Sequence, residues 1–543
     1  MSIALPPPIA PQEGAPTELR AESSSAQQVL TVEFQGVHIH IFGSQLVARD
    51  RIRKAMATAD NLSDAVREIG AAYYLSGYPA ALVTYALIGE FDRDLYVRIV
   101  PGRVKDVTGP AALLPYFSDL KGERTPLTSA RLEADRALAD GLTERGGAQY
   151  KPSFKRVGGD EVVLDLGEAT TGSRQFALIG VFSNYGNRYA GPYVANAAFR
   201  QDFDGGYEIS LSGATSVHIF GLGGAHSVPY HEGEVGWSKV TPFGVFGLQG
   251  RYADFSPAEE GYIFHGAISS GSATWMFPLY ADLHQRLNLQ GKIERDHEAI
   301  DAPATTLGCN ALDNLLNLLG LLNCPLQITA GGEALSELYN SAELSLGYTG
   351  RVQHDERQDE FKLSLTLRKG LGPHQSTGSS ASLDYFLWQP AFSARYSLTP
   401  RWSVLGDGSF QFTNSIVPQQ QQFVIGGFSS LHAYEAGVGV GDRGENLSLS
   451  VEWKGYADSW IEHYGIRPRC FVEYGSTTLK SRSLGVSNGT VTVADVGAAV
   501  DVRFASWLAG SLSLAQSTYS RGGENSPDGL AKKYLLFQLA AQY

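Results

Sequence analysis

Residues 423–453 read FVIGGFSSLHAYEAGVGVGDRGENLSLSVEW, a glycine-rich run that opens onto a strict alternation of apolar and polar side chains. Gly439, Gly441 and Gly444 fit the spacing G-x-G-x-x-G, which in a dinucleotide-binding unit follows a strand and opens a helix whose N-terminal amides hold the pyrophosphate. Here a strand follows instead. Leu447, Leu449, Val451 and Trp453 fall on one face and Asn446, Ser448, Ser450 and Glu452 on the other, a period of two. The glycines therefore serve a loop, not a phosphate, and the element after them is β.

The same period recurs over the last two-thirds of the chain. Phe361, Leu363, Leu365 and Leu367 alternate with Lys362, Ser364, Thr366 and Arg368, and the chain ends in YLLFQLAAQY with Leu535, Phe537, Leu539, Ala541 and Tyr543 on one face. Charged residues make up only 18% of 543, while 61 Gly, 26 Tyr and 25 Phe suit many strands and turns. No run of about 18 apolar residues exists to form a membrane helix, so a membrane crossing by this chain has to use strands, and in lipid only a closed barrel leaves no backbone unpaired. Segments of about ten alternating residues with aromatics near their ends are the barrel signature. A soluble β-sandwich alternates as well and stays open on pattern alone. The net charge of −13 argues against nucleic acid as a partner.

Enzyme signatures are weak. Gly485-Val486-Ser487-Asn488-Gly489 fits G-x-S-x-G but lies between two expected strands, where no nucleophile elbow forms. Three Cys cannot make a closed thiolate zinc site, and no H-E-x-x-H occurs. No catalytic residue, metal or cofactor is expected.

The first 170 residues differ. Residues 1–28 are Pro-rich and are expected to be flexible. A strand, VLTVEFQGVHIHIF, then leads to a helix on which Leu62, Val66, Ile69 and Tyr73 recur and which Gly77 ends. A second unit carries a helix around TSARLEADRALADGL and strands AQYKPSFKRVG and EVVLDLGEA. Two small α+β units, 29–103 and 104–169, thus precede a barrel over 170–543.

These residues carry a family resemblance. YYLSGYPAALV with DLYVRIVPGRV, including Tyr74, Gly77 and Tyr78, resembles the first POTRA domain of the two-partner secretion (TpsB) outer-membrane transporters. Asn184, Gly186, Arg188 and Gly191 resemble the N-x-G-x-R-x-x-G passage that follows the first barrel strand in that family. The stretch from Gly426 and Gly427 through Ser430 to Asp442, Arg443 and Gly444 resembles its G-G-x-x-S-V-R-G-[YF]…G-D-R-G loop motif. The resemblance implies a β-barrel membrane protein in the outer membrane of a Gram-negative bacterium: two periplasmic POTRA domains, a 16-stranded antiparallel barrel, and a sixth outer loop folded into the lumen. It implies a TpsA-like secreted exoprotein as partner, captured by the POTRA domains and exported through the lumen. It also implies outer-membrane lipids around the wall and the barrel assembly machinery for insertion. A protein-assembly factor of the same superfamily and a passive porin are the competing readings. The absence of a signal peptide suggests a mature or trimmed chain.

The sequence departs from the motif where the family has Val-Arg-Gly-Tyr: it reads Leu431-His432-Ala433-Tyr434. In the family the arginine pairs with an acidic residue on the wall strand that RCFVEYGS resembles, so His432 is expected to meet Glu473. Histidine offers one bond at a time and titrates near about 6.5, so this lock should be weaker than arginine's and sensitive to pH. Alternating outward and inward strands gives sixteen, with the loop motif and the Leu-rich stretch around Cys309 and Cys324 outside. Those two cysteines are candidates for a disulfide, two free thiols being the alternative, and Cys470 is left on a lipid-facing or interfacial position. Candidate edges for strand capture are AALVTYAL and AQYKPSF.

Overall fold

The computed structural model describes the chain except residues 1–4, 90–92, 168–169, 172–175, 187–192, 218–229, 257, 260–261, 264, 283, 303–304, 308–326, 330–331, 355–356, 373–375, 378–379, 428–429, 456–459, 481–488 and 523–534. Cys309, Cys324, Arg188, Gly191 and the Gly485–Asn488 stretch, Gly485 through Asn488, lie outside the described residues.

Sixteen antiparallel strands close a barrel: β1 (Phe176–Ser183), β2 (Val194–Phe203), β3 (Tyr207–Ser216), β4 (Tyr230–Thr241), β5 (Gly244–Phe255), β6 (His265–Ala281), β7 (Gln285–Ala302), β8 (Gly332–His354), β9 (Arg357–Gly370), β10 (Phe386–Ser397), β11 (Trp402–Gln411), β12 (Arg443–Trp453), β13 (Arg467–Leu479), β14 (Gly489–Ala505), β15 (Leu508–Arg521) and β16 (Leu535–Gln542). A two-residue strand, Ser376–Thr377, pairs only on β8, while β9 pairs directly with β10. The period of two sorts each strand. Leu248, Leu363, Val472, Val496 and Leu539 are exposed on the outer wall, whereas Arg368, Glu473 and Asp495 point into the lumen and are buried or nearly so. Exposed aromatics crowd the inner rim, where Phe176 lies against Tyr543 and Trp402 against Trp453, which is the girdle such a wall places at an interface. Cys470 is exposed on the lipid-facing side of β13, opposite Val451 and Ala498.

Among the described residues β1 and β16 close the ring through five register pairs, Ile179–Ser183 against Gln538–Gln542, and Leu178 and Tyr543 exchange backbone hydrogen bonds at 3.0 and 2.8 Å at one end. Asn184 extends this seam with its side chain: Nδ2 donates to the Leu535 carbonyl and Oδ1 accepts from the Phe537 amide, both at 2.8 Å.

Two α+β units precede the barrel. In the first, strands Val29–Phe34, Val37–Gly43, Leu82–Ile88 and Asp94–Val100 form a mixed sheet covered on one face by helices Arg49–Met56 and Leu62–Leu75. Ile41, Ile69, Tyr73, Val83 and Val97 make its core. Asn61 caps the longer helix by accepting from the Asp64 amide at 3.0 Å. Gly77 ends it with φ +92°, the left-handed turn that lets the Tyr78 amide reach back to the Tyr73 carbonyl at 3.0 Å. The second unit has strands Arg103–Thr108, Ser153–Gly158 and Glu161–Asp165 with helix Ser129–Arg145. Within AQYKPSF, Ala148–Gln149 forms a separate short strand paired with Thr170–Thr171, so the edge strand of this unit begins only at Ser153; Pro152, which has no N–H to donate, divides the two.

Tyr74, Gly77 and Tyr78 belong to the joint between the units. The Gly77 carbonyl accepts from the Ser129 amide at 2.9 Å, Tyr74 packs on the second core, and Tyr78 packs on the first. The second unit in turn sits on the inner rim: the Tyr116 hydroxyl donates to the Val240 carbonyl at 3.2 Å and Arg145 to the Gly206 carbonyl at 2.9 Å. Helix Ser129–Arg145 buries Arg136 completely, beside Glu133 at 3.1 Å and Asp140 at 3.9 Å.

The N-terminal segment differs from the flexible start expected of it. Gln12–Glu13 pairs in parallel with Thr84–Tyr85, and Pro16–Ser25 is a helix that buries Leu19 against Phe42, Ala86 and Tyr96. Proline at the first helical position and Glu18 in the first turn favour that start, and docking on the open face of the sheet supplies what the weak local sequence does not.

Candidate functional site

Residues 412–442 join β11 to β12 on the outer side, and the segment from Val417 to Asp442 folds back into the lumen. Its first limb lies on the β7–β9 wall. Gln421 donates to the Tyr339 hydroxyl at 3.1 Å and accepts from Arg368, and the Gln419 amide donates to Glu337 at 3.1 Å. Arg368 is held in place by Glu343, 2.5 Å away, with Glu294 at 3.6 Å. Below this limb remains a polar lumen cavity of about 340 Å³ lined by acidic and basic side chains, among them Glu232, Arg251, Lys292 and Asp296.

The tip of the loop crosses to the other wall and touches three successive strands. Glu473 on β13 accepts at one oxygen from both the His432 amide and the His432 ring Nδ1, each at 2.8 Å. Its other oxygen accepts from Ser448 at 3.3 Å. Asp495, directly across from Glu473 on β14, accepts from the Ala433 amide at 2.6 Å. The Tyr434 hydroxyl donates to the Tyr519 carbonyl at 3.0 Å and meets Ser517, both on β15. The His432 imidazole lies 4.6 Å from the Phe471 ring, and His432, Glu473 and Asp495 are all at most 5% exposed. Leu431 sustains a φ of +59°, uncommon for a non-glycine residue, in a tip that is packed on every side.

The glycines answer a steric need. A Cβ on Gly441 would stand 2.7 Å from the Thr478 carbonyl, and one on Gly426, at φ +100°, would stand 2.1 Å from the Glu435 carbonyl. They allow loop backbone to run against the wall, with Gly439–Gly441 paired to Phe423–Ile425. Ser430 accepts from the Gly426 amide at 3.1 Å and sets the turn. The loop base is tied by Asp442, fully buried, whose carboxylate accepts from the Val417 and Lys480 amides at 2.8 Å each. Arg443 donates from Nε to the Thr413 carbonyl and from Nη2 to Asn414, both at 2.5 Å. Gly444 follows as the second residue of β12.

The structure therefore brings His432 to Glu473, and Gly426, Gly427, Ser430, Tyr434 and Asp442 into the same folded loop. The first-hairpin residues Asn184 and Gly186 lie apart from it: Asn184 is at the barrel seam, and Gly186 lines a lumen cavity of about 410 Å³ with Tyr185, Tyr230 and Glu298. Asp495 does not stand out in the sequence, because its place beside Glu473 depends on strand register, which no local pattern of side chains reveals.

No family model and no curated protein matches the sequence. Solved structures do match. CdiB from Escherichia coli is similar with a TM-score of 0.61 at 14% identity, over 96% of this chain and 91% of that one. CdiB from Acinetobacter baumannii gives 0.57 at 12%, over 95% and 91%. BamA from Haemophilus ducreyi lacking POTRA domains 1–3 gives 0.50 at 15%, over 94% and 100%. The fold is that of a POTRA-containing outer-membrane barrel. At these identities the likeness is one of fold.

Proposed function

We propose that the protein is an outer-membrane translocator of the two-partner secretion type. In this reading the two α+β units face the periplasm of a Gram-negative cell, capture a secreted exoprotein, and feed it in extended form through the lumen while loop 412–442 is released. The observation that carries the reading is the placement of the second unit on the inner rim, through Tyr116 and Arg145, beside the mouth of a lumen that a latched loop obstructs. A passive porin has no use for such units. Edge strands supply capture with little demand on sequence, since backbone groups do the binding. Outward folding or retention of the cargo would give the direction, without nucleotide hydrolysis.

Deleting residues 29–168 tests this. The barrel should still insert and shift on heating, and the exoprotein should vanish from the medium; unchanged secretion would end the proposal. The short β1–β16 seam favours a second reading, insertion of other barrels through an opened wall. A disulfide across the seam separates the two, because lumen export should continue with the seam locked and insertion should stop.

A further inference from the structure

Strand Leu82–Ile88 is the edge of the first sheet, and it is seven residues long. The chain's own N-terminal segment occupies part of it. Gln12 and Glu13 pair in parallel with Thr84 and Tyr85, the Gly14 amide donates to the Tyr85 carbonyl at 2.9 Å, and the Tyr85 hydroxyl donates to Glu13 at 3.4 Å. The flanks are pinned as well: Leu5 is buried in the core of the second unit, Leu19 is buried on the first, and Arg98 donates to both oxygens of Glu22 at 2.9 and 3.0 Å.

Three features make this occupant weak at the edge itself. It pairs over two residues of seven. Leu87, in register with Leu95 on its inner side, has no register partner in the N-terminal segment on its outer side, and its side chain is 47% exposed. The helix that follows has ten residues and no side-chain cap at Ala15, too short to persist without its docking site. An extended polypeptide that pairs along the whole edge gains backbone bonds the resident segment does not make.

We infer that residues 5–25 are a displaceable strap, and that the edge Leu82–Ile88 is a docking site for an extended, strand-forming segment of the exported partner, which takes the place of Gln12–Gly14. This rests on the proposed role in export. Displacement also reaches the second unit, because Arg156, on its edge strand Ser153–Gly158, donates to the Val83 carbonyl at 3.4 Å and to the Thr84 hydroxyl at 2.6 Å. A client strand along the full edge competes with both bonds and so loosens the joint between the units.

Full-length protein in lipid vesicles tests the strap, with a fluorescent synthetic peptide of residues 5–25 as probe. A Gln12→Cys, Thr84→Cys pair joins register partners. Oxidised, it should bind no peptide; reduced, it should bind. Gly14→Val leaves the edge intact but loosens the strap, since a Cβ on Gly14 meets Thr84 Cγ2 at 2.6 Å, and it should bind the peptide at least tenfold more tightly than the unaltered protein. Equal binding by oxidised and reduced forms, no binding by either, or no gain from Gly14→Val overturns the strap. The export reading stands or falls separately, on secretion after deletion of residues 29–168.

Discussion

Replacing Glu473 by Gln keeps the shape of the latch and removes its charge. Glu473 is 3% exposed and accepts three hydrogen bonds, two of them from His432. A buried hydrogen bond to a charged group contributes about 1.5–3 kcal/mol net. Gln keeps one acceptor oxygen, which can serve the His432 amide or its ring but with less strength, and turns a donor toward the other. The loss should be about 2–3 kcal/mol, or roughly a 30- to 150-fold shift in the ratio of latched to released loop. In planar bilayers at fixed voltage this should appear as longer and more frequent large-conductance events. Protease added outside should cut the loop faster. His432→Ala should do less, because the main-chain bond to Glu473 remains. Traces of Glu473→Gln that superimpose on those of the unaltered protein, with an unchanged rate of loop cleavage, would show that this carboxylate does not hold the loop.

Other outcomes follow from the inner half of the molecule and from the seam. Burial, together with Asp119 alongside, pushes the Asp135 carboxyl up to about 8, so the folded second unit holds this proton more tightly than the unfolded chain, where Asp titrates near about 3.9. Its stability should therefore be highest at acid pH, fall as pH rises between those values, and level off above them; Asp135→Asn should remove the slope and slow hydrogen exchange of helix Ser129–Arg145 at pH 8, after correction for intrinsic rates. Arg136→Ala strands Glu133 and Asp140 without their buried cation and should cost about 3–5 kcal/mol, seen as faster exchange in the same helix and in Tyr150. Asn184→Ala removes two seam bonds and about 1–3 kcal/mol, so the barrel should lose its folded mobility on gels at a lower temperature.

The wall was legible because a lipid-facing strand has to alternate: Leu363, Val496 and Leu539 announce their face without reference to any neighbour. Counting strands placed the glycine-rich loop on the outer side, and the resemblance, not the pattern, pointed His432 at Glu473. What escaped depends on tertiary contact. Residues 12–25 are polar and weakly periodic, and they become ordered only on a sheet whose open face the sequence does not display. Arg136 reads as the solvated side of a helix until the barrel rim is set against it. Asp495 is one of many alternating polar residues until register puts it opposite Glu473. AQYKPSF reads as one strand from Ala148, five residues before the edge strand begins at Ser153, because its alternation runs across the proline that divides it.

Photo-crosslinking during secretion reports whether the partner passes through the lumen. A crosslinking amino acid at Ser272, which lines the lumen cavity, should capture the exoprotein in transit, and one at Leu248, 56% exposed on the outer wall, should not. Adducts at Leu248 with none at Ser272, while secretion proceeds, would rule out a path through the lumen.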